Sequence, residues 1–371
     1  MAIRKRAWGD GRTAWVCDYR DGSGTRRLRT FPTRKSADAW MVQARGELAA
    51  GTHTPAVVSC TVADAWQRWL AACGGLERTT LCQRSEHLRL HVAPYIGHVR
   101  LSDLTVPGVH AFLDRLRDEG RSLVMRRKVL TNLKTVLGFA QERGLVAQNV
   151  ARSVRLRIDR RREAQELRSG VEMPTKAELR ALLAGATEPR WRAFLALAIF
   201  GGARASELRG LAWNAVDLSA GVVHVRQRAD AFGHIDAPKS AAGRRSIPLA
   251  PMAANALREW RLASPSTDGL VFASRAGTPL RLRNIYRDWW WPLQLQLRIV
   301  DDQGAPRYGL HALRHAAASL FIEQGWTAKR VQTVLGHASI AMTMDRYGKL
   351  FPDAEADQAA MAKVQAALVA T

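Results

Sequence analysis

Four short stretches in the second half of this 371-residue chain hold side chains fit for chemistry. Gly201-Gly-Ala-Arg204-Ala-Ser-Glu207 sets an arginine at the start of an expected helix, just past an apolar run. Ala237-Pro-Lys239-Ser places a lysine at an expected hairpin tip. In Leu310-His311-Ala-Leu-Arg314-His315, His311 and Arg314 stand three apart and so share one helical face. Leu335-Gly-His337 puts a histidine at a helix end, and Tyr347 follows ten residues later. The chain has no P-loop, no dinucleotide fingerprint, no H-E-x-x-H and no paired acidic clusters of the two-metal nuclease kind. A set made of Arg, Lys, His and Tyr suits binding and reacting with a phosphodiester without a metal. Guanidinium forks can each grip two phosphate oxygens.

Taken singly, these residues have plainer readings. Arg204 alone is an ordinary helix-start arginine, and Lys239 alone a solvated turn lysine. His311, His315 and His337 together suggest zinc, but no carboxylate or thiolate completes a ligand set. His315 reads as a residue that packs or hydrogen-bonds within its own helix, and it is left out of the site. Of the five tyrosines, only Tyr347 follows the His-x-x-Arg motif.

The charge narrows the partner. Lys and Arg number 56 against 33 Asp and Glu, a formal net charge of +23. Such an excess points to a polyanion, nucleic acid first and an anionic membrane surface second. With 47% apolar and 24% charged residues, a disordered or fibrous chain is excluded. The longest apolar stretch, Phe194 to Ala203, falls short of the ~20 residues that span a bilayer. The first residues lack the apolar core of a signal peptide. Cys17, Cys60, Cys73 and Cys82 form no C-x-x-C pair, so they read as small apolar residues in a reducing cytosol.

The order Arg204, Lys239, His311-x-x-Arg314, His337, Tyr347, with the Leu335-Gly-His337 turn, resembles the tyrosine recombinase (phage-type integrase) family. The likeness is strong over about 174–349, looser over 61–157 and weak over 1–55. It implies a role for each of six catalytic residues. Tyr347 attacks the scissile phosphorus, forms a 3′-phosphotyrosyl link and frees a 5′-hydroxyl. Arg204 and Arg314 hold the non-bridging oxygens. His311 and His337 hydrogen-bond the phosphate or help move the tyrosine proton. Lys239 protonates the leaving 5′-oxygen. Glu207 occupies the family's acidic position and orients a basic neighbour. Chemistry fits these roles. A phenol has a pKa near ~10, and neighbouring guanidiniums would favour the phenolate and the charged transition state. A covalent phosphotyrosine conserves the bond energy, so religation needs no ATP.

The resemblance thus implies a site-specific recombinase that integrates or excises a phage or other mobile element, with no cofactor and no metal. Its partners would be double-stranded attachment-site DNA, three further copies in a tetramer on that DNA, a DNA-bending accessory protein and an excision factor, with no membrane. Free in solution, the chain would be a monomer or weak oligomer, and its place the nucleoid-bearing cytoplasm. Two other functions stay open at this point: type IB topoisomerase-like strand relaxation, and DNA binding without catalysis. The complete set of six residues argues against the latter. Asn149-Val150, where relatives often carry Asn-Pro, is the one departure, and it lies outside the chemistry.

The elements that must position these residues give a mainly α, multi-domain chain with small β-sheets. Residues 1–55 read as a small basic module of the arm-binding type, a three-stranded sheet plus a helix capped by Thr33 and stopped by Gly51. Its strands either lie in a DNA groove or face solvent. Residues 60–157 read as a helical, SAM-like core-binding bundle: one helix opening at Thr61 with Trp66 and Trp69 inward, one over about 80–91, one capped by Thr105, and one through Val129 to Ala140. A basic linker covers 158–173. A mixed α+β catalytic domain covers 174–371. There a Thr175–Glu178 capping box opens the first helix, and a helix apolar on all sides spans 191–200. Strands follow over 221–228, 234–237 and 245–249. An amphipathic helix over 353–370 follows the nucleophile; its apolar face either packs in cis on its own domain or, as the resemblance implies, docks on the next protomer of a ring.

Overall fold

The structure, a computed structural model, describes residues 2–8, 12–51, 53–55, 59–156, 172–351 and 365. The chain divides into two compact units, Met1–Asp159 and Arg160–Thr371.

The first unit begins with an antiparallel sheet of β1 (Ala2–Ala7), β2 (Thr13–Arg20) and β3 (Arg26–Phe31), in that spatial order. Asp21 folds the β2–β3 turn by accepting from the Ser23 and Thr25 N–H groups. Helix α1 (Arg34–Ala49) is capped by the Thr33 hydroxyl and covers one face, where Cys17, Ala37 and Met41 are buried. The cysteine is small packing there, and all four cysteines are free. A bundle follows: α2 (Val62–Ala72), α3 (Arg78–His87), α4 (Val106–Asp118) and α5 (Leu123–Glu142). The capping box of Thr61 and Asp64 starts α2, and Trp66 and Trp69 point into the core. The helix expected to end near His91 instead runs on to Gly97 through a wider, π-type stretch, Leu88–Gly97. Pro94 lies inside it. Proline has no N–H and its ring clashes in a regular turn, so the helix widens rather than stops.

The second unit opens with α6 (Lys176–Gly185), started by the Thr175–Glu178 capping box. Helix α7 (Pro189–Gly201) is fully buried from Ala193 to Ile199 and packs between later helices α9 (Pro251–Ala263) and α12 (Leu310–Glu323). Burying each of Phe194, Leu195 and Leu197 contributes roughly 1.5–3 kcal/mol. Between α7 and α9 come α8 (Ala205–Gly210) and two small sheets. One joins β4 (Val216–Asp217), β5 (Val222–Val225) and β8 (Arg245–Pro248); the other joins β6 (Arg228–Ala229) and β7 (Ile235–Asp236). The single strand expected over 221–228 is therefore split between sheets. Gln227 turns its amide to the Gly210 carbonyl at 2.7 Å, which breaks the run before β6. Helices α10 (Leu282–Ile285), α11 (Trp291–Gln296), α13 (Ala328–Leu335) and α14 (Ile340–Tyr347) complete the described part. Trp191 and Trp289 stack in its core at 4.4 Å.

The basic linker expected over 158–173 lies outside the described residues as far as 171, and so does the expected C-terminal helix except Gln365. Among the described residues no helix is long and apolar enough to cross a membrane.

Candidate active site

Helix ends position the arginines. The last carbonyls of a helix lack partners within it. Beyond α7 and at the end of α13, such carbonyls are taken by guanidiniums. Arg314, buried on α12, donates to Gly202 O at 2.7 Å and Leu335 O at 2.6 Å. Arg204, at the N-cap of α8, donates to Gly336 O at 3.1 Å. Gly336 has φ +67°, and a Cβ there would lie 2.8 Å from Ala242 O, so this turn takes glycine on both counts.

Glu207 joins the arginines together. It accepts from the Arg204 N–H at 2.8 Å and from Arg204 Nη1 at 2.7 Å. It also accepts a two-pronged contact from Arg245 at 3.0 and 2.9 Å. Burial would raise its pKa, but the Arg245 hydrogen bonds and the charges of Arg245 and Arg204 outweigh that and hold it at about 2. Arg314 falls to about 9, through burial first and then the Arg204 charge, and so stays cationic at neutral pH. Two guanidiniums thus share one buried carboxylate, and a third, Arg314, lies near it bonded to backbone carbonyls alone. In a weakly polar interior that excess attracts an anion.

Tyr347 ends α14 at 2% exposure, packed with Ala318, Val331 and Leu335. Its hydroxyl lies 2.5 Å from His315 Nδ1. The His337 ring runs nearly parallel to it, at 12° with centroids 6.3 Å apart, and His337 Nδ1 pairs with Thr343 Oγ1 at 2.8 Å. His311 is exposed in the first turn of α12 and meets the His315 ring edge to face at 4.7 Å. Desolvation, then the surrounding positive groups, brings His311 and His315 to about 4 and His337 to about 3. All three are neutral imidazoles at pH 7, able to accept a proton. The Tyr347 phenol is pushed up by burial, against the opposing pull of Arg314 and Arg346.

Of the six expected positions, the fold brings Arg204, Arg314, His337 and Tyr347 into one cluster, with His311 at its exposed edge. Lys239 is exposed, on the segment between β7 and the short turn Ala241–Gly243 rather than at a hairpin tip. Two residues of the cluster are not among the six expected. His315 bonds across 32 positions to Tyr347, not within its own helix. Its one sequence signal is its place four after His311, on the same face. Arg245 carries only the signal of a basic residue in an alternating strand. Among the described residues no group of three or more His, Cys, Asp or Glu side chains could hold a metal ion.

Residues 173–353 match the phage integrase family. The tyrosine recombinase XerC of Xylella fastidiosa (strain 9a5c) is 31% identical over 247 residues, spanning 63% of this chain and 73% of that protein. The chain belongs to the tyrosine recombinase family. An integrase of Streptomyces ambofaciens is 27% identical to this recombinase over 309 residues, 78% of this chain and 76% of that one. The fold matches the Tn1549 transposon integrase, solved with a circular intermediate DNA, at a TM-score of 0.67 and 18% identity, covering 82% of this chain and 99% of that one. The lambda integrase bound as a dimer to a core site matches at a TM-score of 0.57 and 18% identity, over 94% and 97% of the two chains. The fold is the mainly α, multi-domain recombinase architecture with small sheets. This chain is a site-specific DNA recombinase, an enzyme that binds DNA and recombines it.

Proposed function

We propose that this recombinase cuts and rejoins DNA through a 3′-phosphotyrosyl link at Tyr347, to integrate or excise a mobile element. The observation that carries this reading is the buried excess of guanidinium charge beside a tyrosine whose hydroxyl already meets a neutral imidazole. Arg204 and Arg314 would turn donors to the non-bridging oxygens as charge develops on the phosphorane, the moment at which fixed dipoles and charges count most. Tyr347 Oη forms the bond to phosphorus, and the bond to the 5′-oxygen breaks. His311 or His337 hydrogen-bonds the phosphate or takes the phenol proton. Lys239 gives a proton to the 5′-oxygen. Reversal by a 5′-hydroxyl from a second duplex completes an exchange.

Residues 1–55 act as an arm-site module, 60–157 as the core-binding bundle and 174–371 as the catalytic domain, with 158–173 between them. The exposed Arg4, Lys5 and Arg6 of the edge strand β1 support phosphate contact by the first module. Four copies assemble on the junction, as in the lambda integrase tetramer solved on a Holliday junction. Accessory bending and excision proteins, and a place at the nucleoid, belong to the same reading.

Sequencing the DNA junctions that flank the gene identifies the attachment site. A nicked duplex of that site should then trap a covalent protein–DNA adduct, in EDTA as in buffer. Two duplexes should exchange strands. An adduct without exchange would turn the reading toward strand relaxation. No adduct would leave DNA binding alone.

A further inference from the structure

The segment that carries Lys239 is held at both ends by helix α8, whose N-cap is Arg204. At the entering end, Arg209 is 2% exposed and donates to Asp230 O at 2.9 Å and Leu280 O at 2.5 Å. Gly210 comes so close to β6 that a Cβ added there would lie 2.7 Å from the Arg228 backbone. At the leaving end, the Arg245 side chain is 3% exposed. Besides its two bonds to Glu207, it donates to Gly243 O at 3.1 Å and Val334 O at 2.5 Å. One guanidinium thus joins the end of the lysine segment, the helix of Arg204 and the turn before His337.

A loop of this kind forms from turn chemistry alone and does not require a desolvated guanidinium. A buried charge with one partner removed is strongly unfavourable. Four acceptors on three separate elements make Arg245 a device for mutual placement. We propose that Arg245, paired with Glu207, is a positioning residue for Lys239: it fixes the segment bearing the leaving-group acid to the helix bearing a phosphate-binding arginine. The proposal rests on the roles of Lys239 and Arg204 given above.

The test uses the whole chain and nicked attachment-site duplexes with either the ordinary 5′-oxygen or a bridging 5′-sulfur at the scissile phosphate. A thiol has a pKa near ~8.5, far below that of an alcohol, so sulfur departs without a proton donor. Lys239→Ala should lose roughly 10²–10⁴-fold on oxygen, the usual worth of a general acid, and recover on sulfur. Arg245→Gln and Arg245→Lys should show the same pattern in smaller measure, at least about tenfold on oxygen, with DNA affinity unchanged. Arg204→Ala should lose rate on both substrates. Equal loss by the Arg245 variants on oxygen and sulfur, or no loss on oxygen, overturns the proposal. So does failure of both variants to fold, since Arg245 is then a folding residue. Equal loss by Lys239→Ala on both substrates instead overturns the assignment of Lys239 itself.

Discussion

The same ion pair is used in two ways in this molecule. On the N-terminal sheet Arg26 meets Asp18 at 2.5 Å, with the arginine side chain 62% exposed. In the second unit Arg245 meets Glu207 at 2.9 Å, with side-chain exposures of 3% and 4%. Water screens the first pair, which adds little to stability and leaves its basic strand free to meet a polyanion. The second pair is desolvated, so its geometry is fixed and its removal is severe. On the proposed reading, exposed charge serves encounter with DNA, whereas buried charge places the groups that react.

The widest separation between the two regions comes from Tyr347→Phe. Only a hydroxyl is removed, so cleavage and adduct formation should vanish while DNA affinity, carried by the basic surfaces, stays. A persistent adduct in a denaturing gel would remove Tyr347 from the mechanism. Next in size is Glu207→Gln, which leaves Arg245 with an uncompensated buried charge and should cost about 3–5 kcal/mol in urea unfolding.

Acid should reach the buried site in a set order. The folded-state pKa values of His311, His315 and His337 lie below the unfolded value of 6.5. Below that pH the unfolded chain binds more protons, so stability present above 6.5 declines as pH falls toward 4. The Glu207 carboxyl, held at about 2 against an ordinary 4.5, contributes stability above 4.5 that is lost between 4.5 and 2. Unfolding midpoints measured from pH 8 to 3 should fall first below 6.5, and the His315→Gln variant should blunt that first fall. A flat profile between pH 6.5 and 4 would contradict the depressed imidazole values.

On the exposed side the effects shrink. Replacing Arg4, Lys5 and Arg6 with alanine should reduce the salt slope of DNA binding by about 0.9 for each phosphate that is no longer neutralised. An unchanged slope would mean that β1 does not touch the backbone. Smallest of all, Asp18→Asn should leave the unfolding midpoint nearly where it was. A large shift there would abolish the contrast between the two pairs.

Local chemistry is legible in the sequence where a few neighbouring residues decide the outcome. Thr33, Thr61, Thr105 and Thr175 each cap the helix that their position announces. The run 193–199 is apolar throughout and buried throughout, while Arg192 reaches out to Glu259. The π-type stretch is not legible, because apolar spacing alone does not reveal how a helix absorbs Pro94. Nor is the split of the strand at Gln227, whose side chain answers to a carbonyl 17 residues away.

The residue types and their order along the chain are enough to name the chemistry: guanidiniums, imidazoles, an amine and a phenol, in the sequence that a family of recombinases shares. They are not enough to say which of 56 basic residues lie in the interior. Arg244 and Arg245 are adjacent and alike, yet the strand pairing of β8 with β5 turns Arg245 toward Glu207, 38 positions away. Helical spacing gives His315 only neighbours on its own helix, and it is folding that sets the Tyr347 hydroxyl against it. Burial, and with it the shifted pKa values of Glu207, Arg314, Tyr347 and the three imidazoles, depends on contacts between distant segments, and those exist only once the chain has packed.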